Sequence, residues 1–160
     1  MPLFWLDTCV FIEAKNGPYS FSRVPSFWRL LDEQSKAGKI CCPEMVYKEL
    51  VSGNDQLAGW VSARKQNGLC VKANRAVQEL LTKIADYVAS DYKQHQAAAF
   101  LAGADAWLIA HAWQCGGIVV TQESDRQPKA EKARIPDVCA NFSVGCTNTY
   151  EMLDGLGASF

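Results

Sequence analysis

The chain has 160 residues, of which 49% are hydrophobic and 21% are charged, and its 16 basic and 17 acidic side chains give a formal net charge of -1. This length is sufficient for one domain with a buried core, which we expect to span residues 1–160. The near-neutral charge excludes a histone-like protein that binds long duplexes non-specifically, because such proteins need a large positive excess, although it permits a local basic patch.

The cysteine content bears on the cellular compartment. The seven cysteines form an odd set with no Cys-x-x-Cys pair, and the N-terminal sequence lacks the basic start and long apolar run of a secretory signal. No apolar run reaches the roughly 18 residues that a membrane span requires. We therefore expect a cytoplasmic protein with reduced thiols and no membrane association, rather than a zinc or disulfide framework.

The first half of the chain alternates short apolar runs with helical patterns. Its predicted elements are a strand at residues 3–6, a helix at 25–36, a strand at 39–42, helices at 43–53 and 55–66, and a weak strand at 69–71. Asp7 ends the first strand. Pro43 suits the first turn of a helix, where its missing N–H would be unpaired in any case.

The second half continues the alternation. Its predicted elements are helices at residues 74–89 and 92–115, a strand at 118–121, a short helix from Pro136 and a strand at 144–147. A polar, lysine-rich loop is expected over 122–134. Because strands that alternate with helices pair in parallel and are buried on both faces, we predict a three-layer α/β/α fold. Its parallel sheet would have four to five strands in the order 3-2-1-4-5.

Two acids follow predicted strands. Asp7 comes directly after the first strand, and Glu123 lies just beyond the strand at 118–121. In parallel α/β sheets, ligands bind beyond the carboxyl ends of the strands, near the point where the strand order reverses. The alternatives are a turn-forming or capping role for Asp7 and a solvated loop position for Glu123.

Asp105 interrupts a segment that is otherwise almost wholly apolar. A carboxylate there needs a partner, because burying it unpaired costs several kcal/mol. One alternative is that Gly103 breaks the helix and leaves Asp105 in the first turn of the next one, where the helix dipole favours an anion. A metal ion would satisfy Asp105 equally well, and both explanations can hold together. Glu49 lies on a helix that is partly charged.

Carboxylates that converge at one edge of a sheet repel each other and raise each other's pKa, a conflict that a divalent cation removes. Hard oxygen ligands favour Mg²⁺ or Mn²⁺ over zinc. Such an ion would activate a water for attack on a phosphodiester. No Ser/His/Asp set and no Walker-type glycine loop competes with this interpretation.

Once these acids are marked, the chain resembles the PIN-domain superfamily of metal-dependent nucleases, in particular a bacterial and phage PIN-like branch of unassigned function related to VapC-type toxin ribonucleases. The motifs that carry the resemblance occur in the family's order over nearly the whole chain. They are FWLDT at 4–8 with FI at 11–12, PSFW at 25–28, CPEMVYKEL at 42–50, GADAWLIA at 103–110, VVTQE at 119–123 and IPDVC at 135–139.

The resemblance implies catalytic and metal-binding roles for four acids: Asp7, Glu49, Asp105 and Glu123. The fourth position departs from the family, which usually places Asp or Asn there, and Asp125 is an alternative ligand. The implied cofactor is Mg²⁺ or Mn²⁺.

The resemblance also implies an endoribonuclease acting on single-stranded or looped RNA. It would be either a VapC-type toxin, held by a small antitoxin or a DNA-binding companion, or a related housekeeping or phage-defence ribonuclease, and such enzymes commonly work as homodimers. The loop after Glu123 offers four basic residues that can meet phosphates or remain solvated: Arg126, Lys129, Lys132 and Arg134. Tyr19 and Phe21 can stack on bases or pack in the core.

Two other functions are compatible with the sequence. The first is a catalytically weak or inactive PIN-like module that acts through a protein partner. The second is a deoxyribonuclease for flap or branched DNA, which shares the site chemistry but normally needs additional helices.

Overall fold

The sheet has the predicted topology. The computed structural model describes residues 3–123 and 131–160. Within them the strands are β1 (Phe4–Leu6), β2 (Ile40–Pro43), β3 (Cys70–Val71), β4 (Ile118–Val120) and β5 (Gly145–Thr147). All neighbouring strands pair in parallel, in the order β3-β2-β1-β4-β5. The prediction of a parallel sheet of four to five strands in this order is confirmed.

Helices cover both faces of the sheet, as predicted. They are α1 (Thr8–Asn16), α2 (Pro25–Lys36), α3 (Glu44–Ser52), α4 (Gln56–Ser62), α5 (Arg75–Asp91), α6 (Gln94–Ala102), α7 (Asp105–Cys115), α8 (Ile135–Asn141) and α9 (Thr149–Gly155). The helix predicted at residues 25–36 is confirmed, and α4 is shorter than predicted. No helix in the described ranges has both the length and the apolar character needed to cross a lipid bilayer.

The prediction of one helix over residues 92–115 is wrong. The chain forms α6 and α7 instead, with Gly103 extended between them at φ -97° and ψ -162°. This conformation breaks the helical hydrogen-bond ladder, so Asp105 becomes the first residue of α7. The alternative in which Gly103 interrupts the helix is therefore the observed one.

Two of the observed helices, α1 and α9, were not predicted from the sequence patterns. Thr8, Val10 and Ile12 are β-branched and disfavour a helix, yet α1 forms because Val10 and Phe11 are buried against the sheet. The start of α9 did carry a sequence signal, because the side chain of Asn148 accepts a hydrogen bond from the backbone N–H of Glu151 at 2.9 Å.

Alternation along the strands divides the interior into two hydrophobic cores. In β1, Phe4 and Leu6 pack in one core and Trp5 packs in the other, and Val120 and Val119 of β4 divide in the same way. The first core is completed mainly by α1 to α4 and α9, and the second by α5 to α8. Both faces of the central strands are therefore dry, which leaves the strand ends as the place for polar chemistry.

The sheet pairing continues one residue past the ends of β1 and β4. The backbone N–H of Asp7 donates to the carbonyl of Val120 in β4 at 2.9 Å, and that of Thr121 donates to the carbonyl of Thr147 in β5 at 3.0 Å. Asp7 and Thr121 therefore lie side by side at the carboxyl edge of the sheet.

We predict that Gly117→Ala lowers the free energy of unfolding by about 1–3 kcal/mol. A Cβ at this position would lie 2.7 Å from the carbonyl oxygen of Leu3 and 2.8 Å from the buried ring of Trp5, so the sheet would have to shift. Urea unfolding monitored by circular dichroism measures the effect.

The matched control is Gly59→Ala in the interior of α4, where no atom lies within 4 Å of the added Cβ. That change should raise stability by about 0.5–1 kcal/mol, through helix propensity alone. Equal stability of the Gly117 variant and the wild type would contradict the close packing described at the start of β4.

Candidate active site

A cavity of about 410 Å³ lies at the carboxyl edge of the sheet. Five acids line it: Glu13 of α1 and, from four other parts of the chain, Asp7 after β1, Glu49 on α3, Asp105 at the start of α7 and Glu123 after β4. The structure thus brings together the four acids named from the sequence. We call this the acid cavity.

Asp7 is the most deeply buried of the four, with 6% of its surface exposed. Its Oδ2 accepts hydrogen bonds from Thr121 Oγ1 and from Cys9 Sγ, both at 2.9 Å. Burial raises the pKa of Asp7 and nearby Glu49 adds to the rise, while the two hydrogen bonds act in the opposite direction. The side chain is therefore fixed in position by the strand ends on either side of it.

Glu49 reaches the cavity from the exposed side of α3. Its Oε2 accepts from Thr8 Oγ1 at 2.5 Å, and its Oε1 accepts from the backbone N–H of Ala104 at 3.1 Å. The Ala104 donor is available because the chain breaks between α6 and α7. A Cβ at Gly103 would lie 3.4 Å from Glu49 Oε1, so a small residue suits this approach. Glu49 therefore links three helices around the acid cavity.

Glu123 is held by the start of α8. Its Oε2 accepts from the backbone N–H of Ile135 at 2.8 Å, one of the N–H groups that a helix leaves unpaired at its start. Burial raises the pKa of Glu123 and Asp7 adds to the rise, whereas the Ile135 hydrogen bond and the positive charges of Lys132 and Arg134 lower it. This carboxylate therefore has a structural partner as well as a place in the cavity wall.

Asp105 differs from the other three acids that the sequence analysis named. No described residue donates a hydrogen bond to its half-buried carboxylate. Burial, followed by the charges of Asp7, Glu123 and Glu49, raises its pKa to about 7, with Lys132 opposing the rise. A group in this position binds a proton or a cation, because its charge is otherwise uncompensated in a partly dry site.

The donor set fits a hard divalent cation in its chemistry, since carboxylate oxygens line the cavity and no described residue donates to Asp105. The spacing of these side chains limits how many of them can bind one ion. In the described ranges, no three acids, thiols or imidazoles are grouped so that they could hold one ion. Mg²⁺ commonly uses only one or two carboxylates and keeps several waters, so the set fits an ion of that type better than a fully protein-ligated one.

The remaining predicted site residues are partly described. Asp125, Arg126 and Lys129 lie outside the described residues. Lys132 is exposed and close enough to lower the pKa of both Asp105 and Glu123. Arg134 is only 11% exposed, and its Nε lies 3.1 Å from Asp137 Oδ2 at the start of α8.

The aromatic residues considered for base stacking are packed against the first core. Tyr19 stacks on Phe27 with ring centroids 4.5 Å apart, and Phe21 stacks on Trp28 at 4.0 Å. Core packing is the observed arrangement for Phe21. Tyr19 uses one ring face in the core and also lines a small cavity.

Sequence reasoning missed three donors that hold the acids: Thr8, Cys9 and Thr121. Thr8 and Cys9 follow Asp7 in the first turn of α1, and Thr121 is the polar residue that ends the apolar run of β4. Thr121 is 1% exposed, so its hydroxyl needs a partner, which Asp7 provides. Its position at a strand end was the available signal.

We predict a pH-dependent stability difference between the wild type and Asp105→Asn in EDTA. The pKa of Asp105 is about 7 in the folded chain against 3.8 for an unperturbed group. The native state therefore retains a proton that the unfolded state has lost, and wild-type stability falls as pH rises from about 4 to about 7. The variant should be more stable than the wild type at pH 8, by on the order of a few kcal/mol, and the difference should shrink towards pH 4.

Denaturant unfolding across this pH range measures the difference, with Asp86→Asn on the exposed side of α5 as the control that leaves it unchanged. If Asp105→Asn is less stable than the wild type throughout, the carboxylate acts chiefly on the dipole of α7.

The profile of one protein family, described as a domain of unknown function (DUF4411), matches residues 4–160 of the chain. No curated protein matches the sequence of this chain significantly. Because the family match covers nearly the whole chain, including all five acids of the cavity, the chain belongs to the DUF4411 family.

Proposed function

We propose that this protein is a metal-dependent endoribonuclease that hydrolyses RNA phosphodiesters with Mg²⁺ or Mn²⁺. The observation that supports the proposal best is Asp105, a carboxylate without a donor among the described residues that shares a cavity with four other acids. A divalent cation would compensate this charge and also supply a reason for the clustering. The resemblance to PIN domains suggests the reaction.

Asp7 and Asp105 are the side chains that would hold the cation, because one is fixed at the end of β1 and the other has no donor among the described residues. When bound, such an ion neutralises charge on the phosphate and lowers the pKa of an attacking water. The hydrogen bonds from Thr121 and Cys9 keep Asp7 oriented towards the cavity. They reduce the reorganisation needed when the substrate arrives.

Glu49 and Glu123 would act on the water and the substrate rather than mainly on the ion. Each has one oxygen fixed by a backbone N–H, so the carboxylate is oriented while lone pairs remain for a further hydrogen bond. A carboxylate held in this way can orient a water and accept its proton. Lys132, exposed near Asp105 and Glu123, supplies positive charge for a phosphate.

The biological setting belongs to the same proposal. The substrate would be single-stranded or looped RNA, and the protein would act as a homodimeric toxin restrained by an antitoxin or a DNA-binding companion. None of the seven cysteines forms a disulfide, which suits the reducing cytoplasm.

A second candidate is a catalytically weak or inactive module that acts through a protein partner. The hydrogen bond between Glu123 and α8 favours it, because this acid already stabilises the fold, and so does the lack of a three-residue ligand group among the described side chains. A catalyst loses its biological effect when the acids are changed, whereas such a module keeps it.

We expect Asp7→Asn and Asp105→Asn each to reduce Mg²⁺- or Mn²⁺-dependent cleavage of a mixed RNA pool by a factor of at least about 100, because each would remove a ligand of the ion. Both variants should remain folded. The wild type should melt at a higher temperature when Mg²⁺ is added, and the variants should gain less, since stabilisation by a ligand follows its affinity for the native state.

Asp86→Asn is the matched control, with the same chemical change on an exposed helix face, and it should retain both cleavage and the response to Mg²⁺. Full cleavage by Asp105→Asn, or cleavage by the wild type in EDTA, would contradict the proposed mechanism.

A further inference from the structure

A second cavity, of about 120 Å³, lies next to the acid cavity. Glu13 and Gln122 line both cavities and so form the wall that they share. Tyr19, Thr149 and Tyr150 line the second cavity only, the last two from the start of α9. We call it the tyrosine cavity. A group bound there would be directly beside anything held by the four acids.

Three polar side chains of the tyrosine cavity, among them the exposed Glu13, have no hydrogen-bond partner among residues 3–123 and 131–160. The carboxylate of Glu13 and the amide of Gln122 make no hydrogen bond to any described residue. The buried hydroxyl of Thr149 has none either, in the part of the chain that the structure describes. By contrast, Glu49 and Glu123 in the acid cavity are held by backbone N–H groups. Polar groups that converge on a small cavity without pairing with each other are typical of a ligand site.

The two tyrosines give the cavity flat aromatic walls. Tyr19 is fixed by its stack on Phe27, with rings inclined by only 11°. Burial, together with the neighbouring Tyr150, raises the pKa of Tyr19, so its phenol remains a hydrogen-bond donor at neutral pH. The ring of Tyr150 is 60% exposed and available for stacking. Aromatic rings of this kind bind nucleobases, because every base has a π-face.

We propose that the tyrosine cavity holds one nucleobase of the RNA, beside the phosphate in the acid cavity, and that Glu13 makes it select cytosine over uracil. The inference rests on the proposed function, because it takes RNA as the substrate. The volume is far below the several hundred Å³ of sites for larger ligands, so it suits a single-ring base.

The choice of base follows from hydrogen-bond chemistry. An ionised glutamate only accepts hydrogen bonds, and cytosine presents an amino group where uracil presents a carbonyl oxygen. Glu13 would therefore accept from cytosine and face an oxygen of uracil. The Gln122 amide both donates and accepts, so it can bind the neighbouring base edge without choosing between the two. Selectivity is thus assigned to Glu13 and general affinity to Tyr150.

The test is an NMR titration of the metal-free full-length protein with cytidine and, separately, with uridine. These nucleosides carry no phosphate, so the result does not depend on the metal, on cleavage or on repulsion between the acids and an RNA backbone. We expect saturable shifts of the backbone amides of Glu13, Gln122 and Tyr150, with a Kd for cytidine roughly ten-fold below that for uridine. Tyr150→Ala should weaken both nucleosides by about ten-fold.

Glu13→Gln should abolish the preference, because an amide can also donate to the uracil oxygen. Glu33→Gln makes the same change on the exposed side of α2 and should keep the preference. Equal affinities of the wild type for both nucleosides, or the absence of shifts at the cavity, would overturn the proposal.

The outcome is separable from that of the proposed function. Cytidine selectivity without any RNA cleavage would count against the nuclease and leave the base site standing. Metal-dependent cleavage by a protein that does not distinguish the nucleosides would count against the base site alone. If both hold, the cleavage sites in a mixed RNA pool should show cytosine enriched over uracil at one flanking position.

Discussion

The parallel pairing of β1 with β4 is the constraint on which the site depends. The chain enters the sheet at β1, builds outward through β2 and β3, and then crosses to the other side of β1 with β4. The strand order reverses between β1 and β4, so the connections that leave their carboxyl ends diverge and open a crevice. The acid cavity lies in this crevice. Asp7 and Thr121, which meet across it, are direct extensions of the two strands.

The charges in this crevice are compensated unequally. Hydrogen bonds from side chains hold Asp7, backbone N–H groups hold Glu49 and Glu123, and the carboxylate of Asp105 receives none from the described residues. The break at Gly103 affects two of these acids. It frees the N–H of Ala104 to donate to Glu49, and it places Asp105 at the start of α7. A protein that only needed a stable fold would gain from an uncharged residue at Asp105. This cost to stability is the reason for proposing that Asp105 serves a cation.

Much of the fold was predictable from the sequence, for identifiable reasons. The apolar runs of β1 and β4 stand out because both faces of the sheet are buried, and alternation with helices determines parallel pairing. The break at Gly103 was harder to predict, because the residues on either side of it are good helix formers. It forms where the Ala104 N–H meets Glu49, a contact between residues far apart in sequence. Helix α1 was missed because tertiary burial overrides the low helix propensity of its β-branched residues.

In the candidate site too, some features follow from the local sequence and others depend on contacts between distant residues. Asp7 and Asp105 are identifiable from local context, one at a strand end and the other as a lone charge in an apolar segment. The partners that distinguish the acids from one another are not, because Thr8, Thr121 and the N–H of Ile135 reach them only through the fold. The sequence thus indicates four of the acids that converge, and the structure adds that, of these four, Asp105 has no donor among the described residues.

The proposed function requires that one divalent cation binds in the acid cavity, next to Asp105. The most direct measurement is the anomalous difference density of crystals grown with Mn²⁺. We predict a single strong peak in contact with the carboxylates of Asp105 and Asp7, and its loss in crystals of Asp105→Asn. If the wild-type cavity shows no anomalous density at saturating Mn²⁺, or if the peak is unchanged in the variant, the proposed cation site at Asp105 is contradicted.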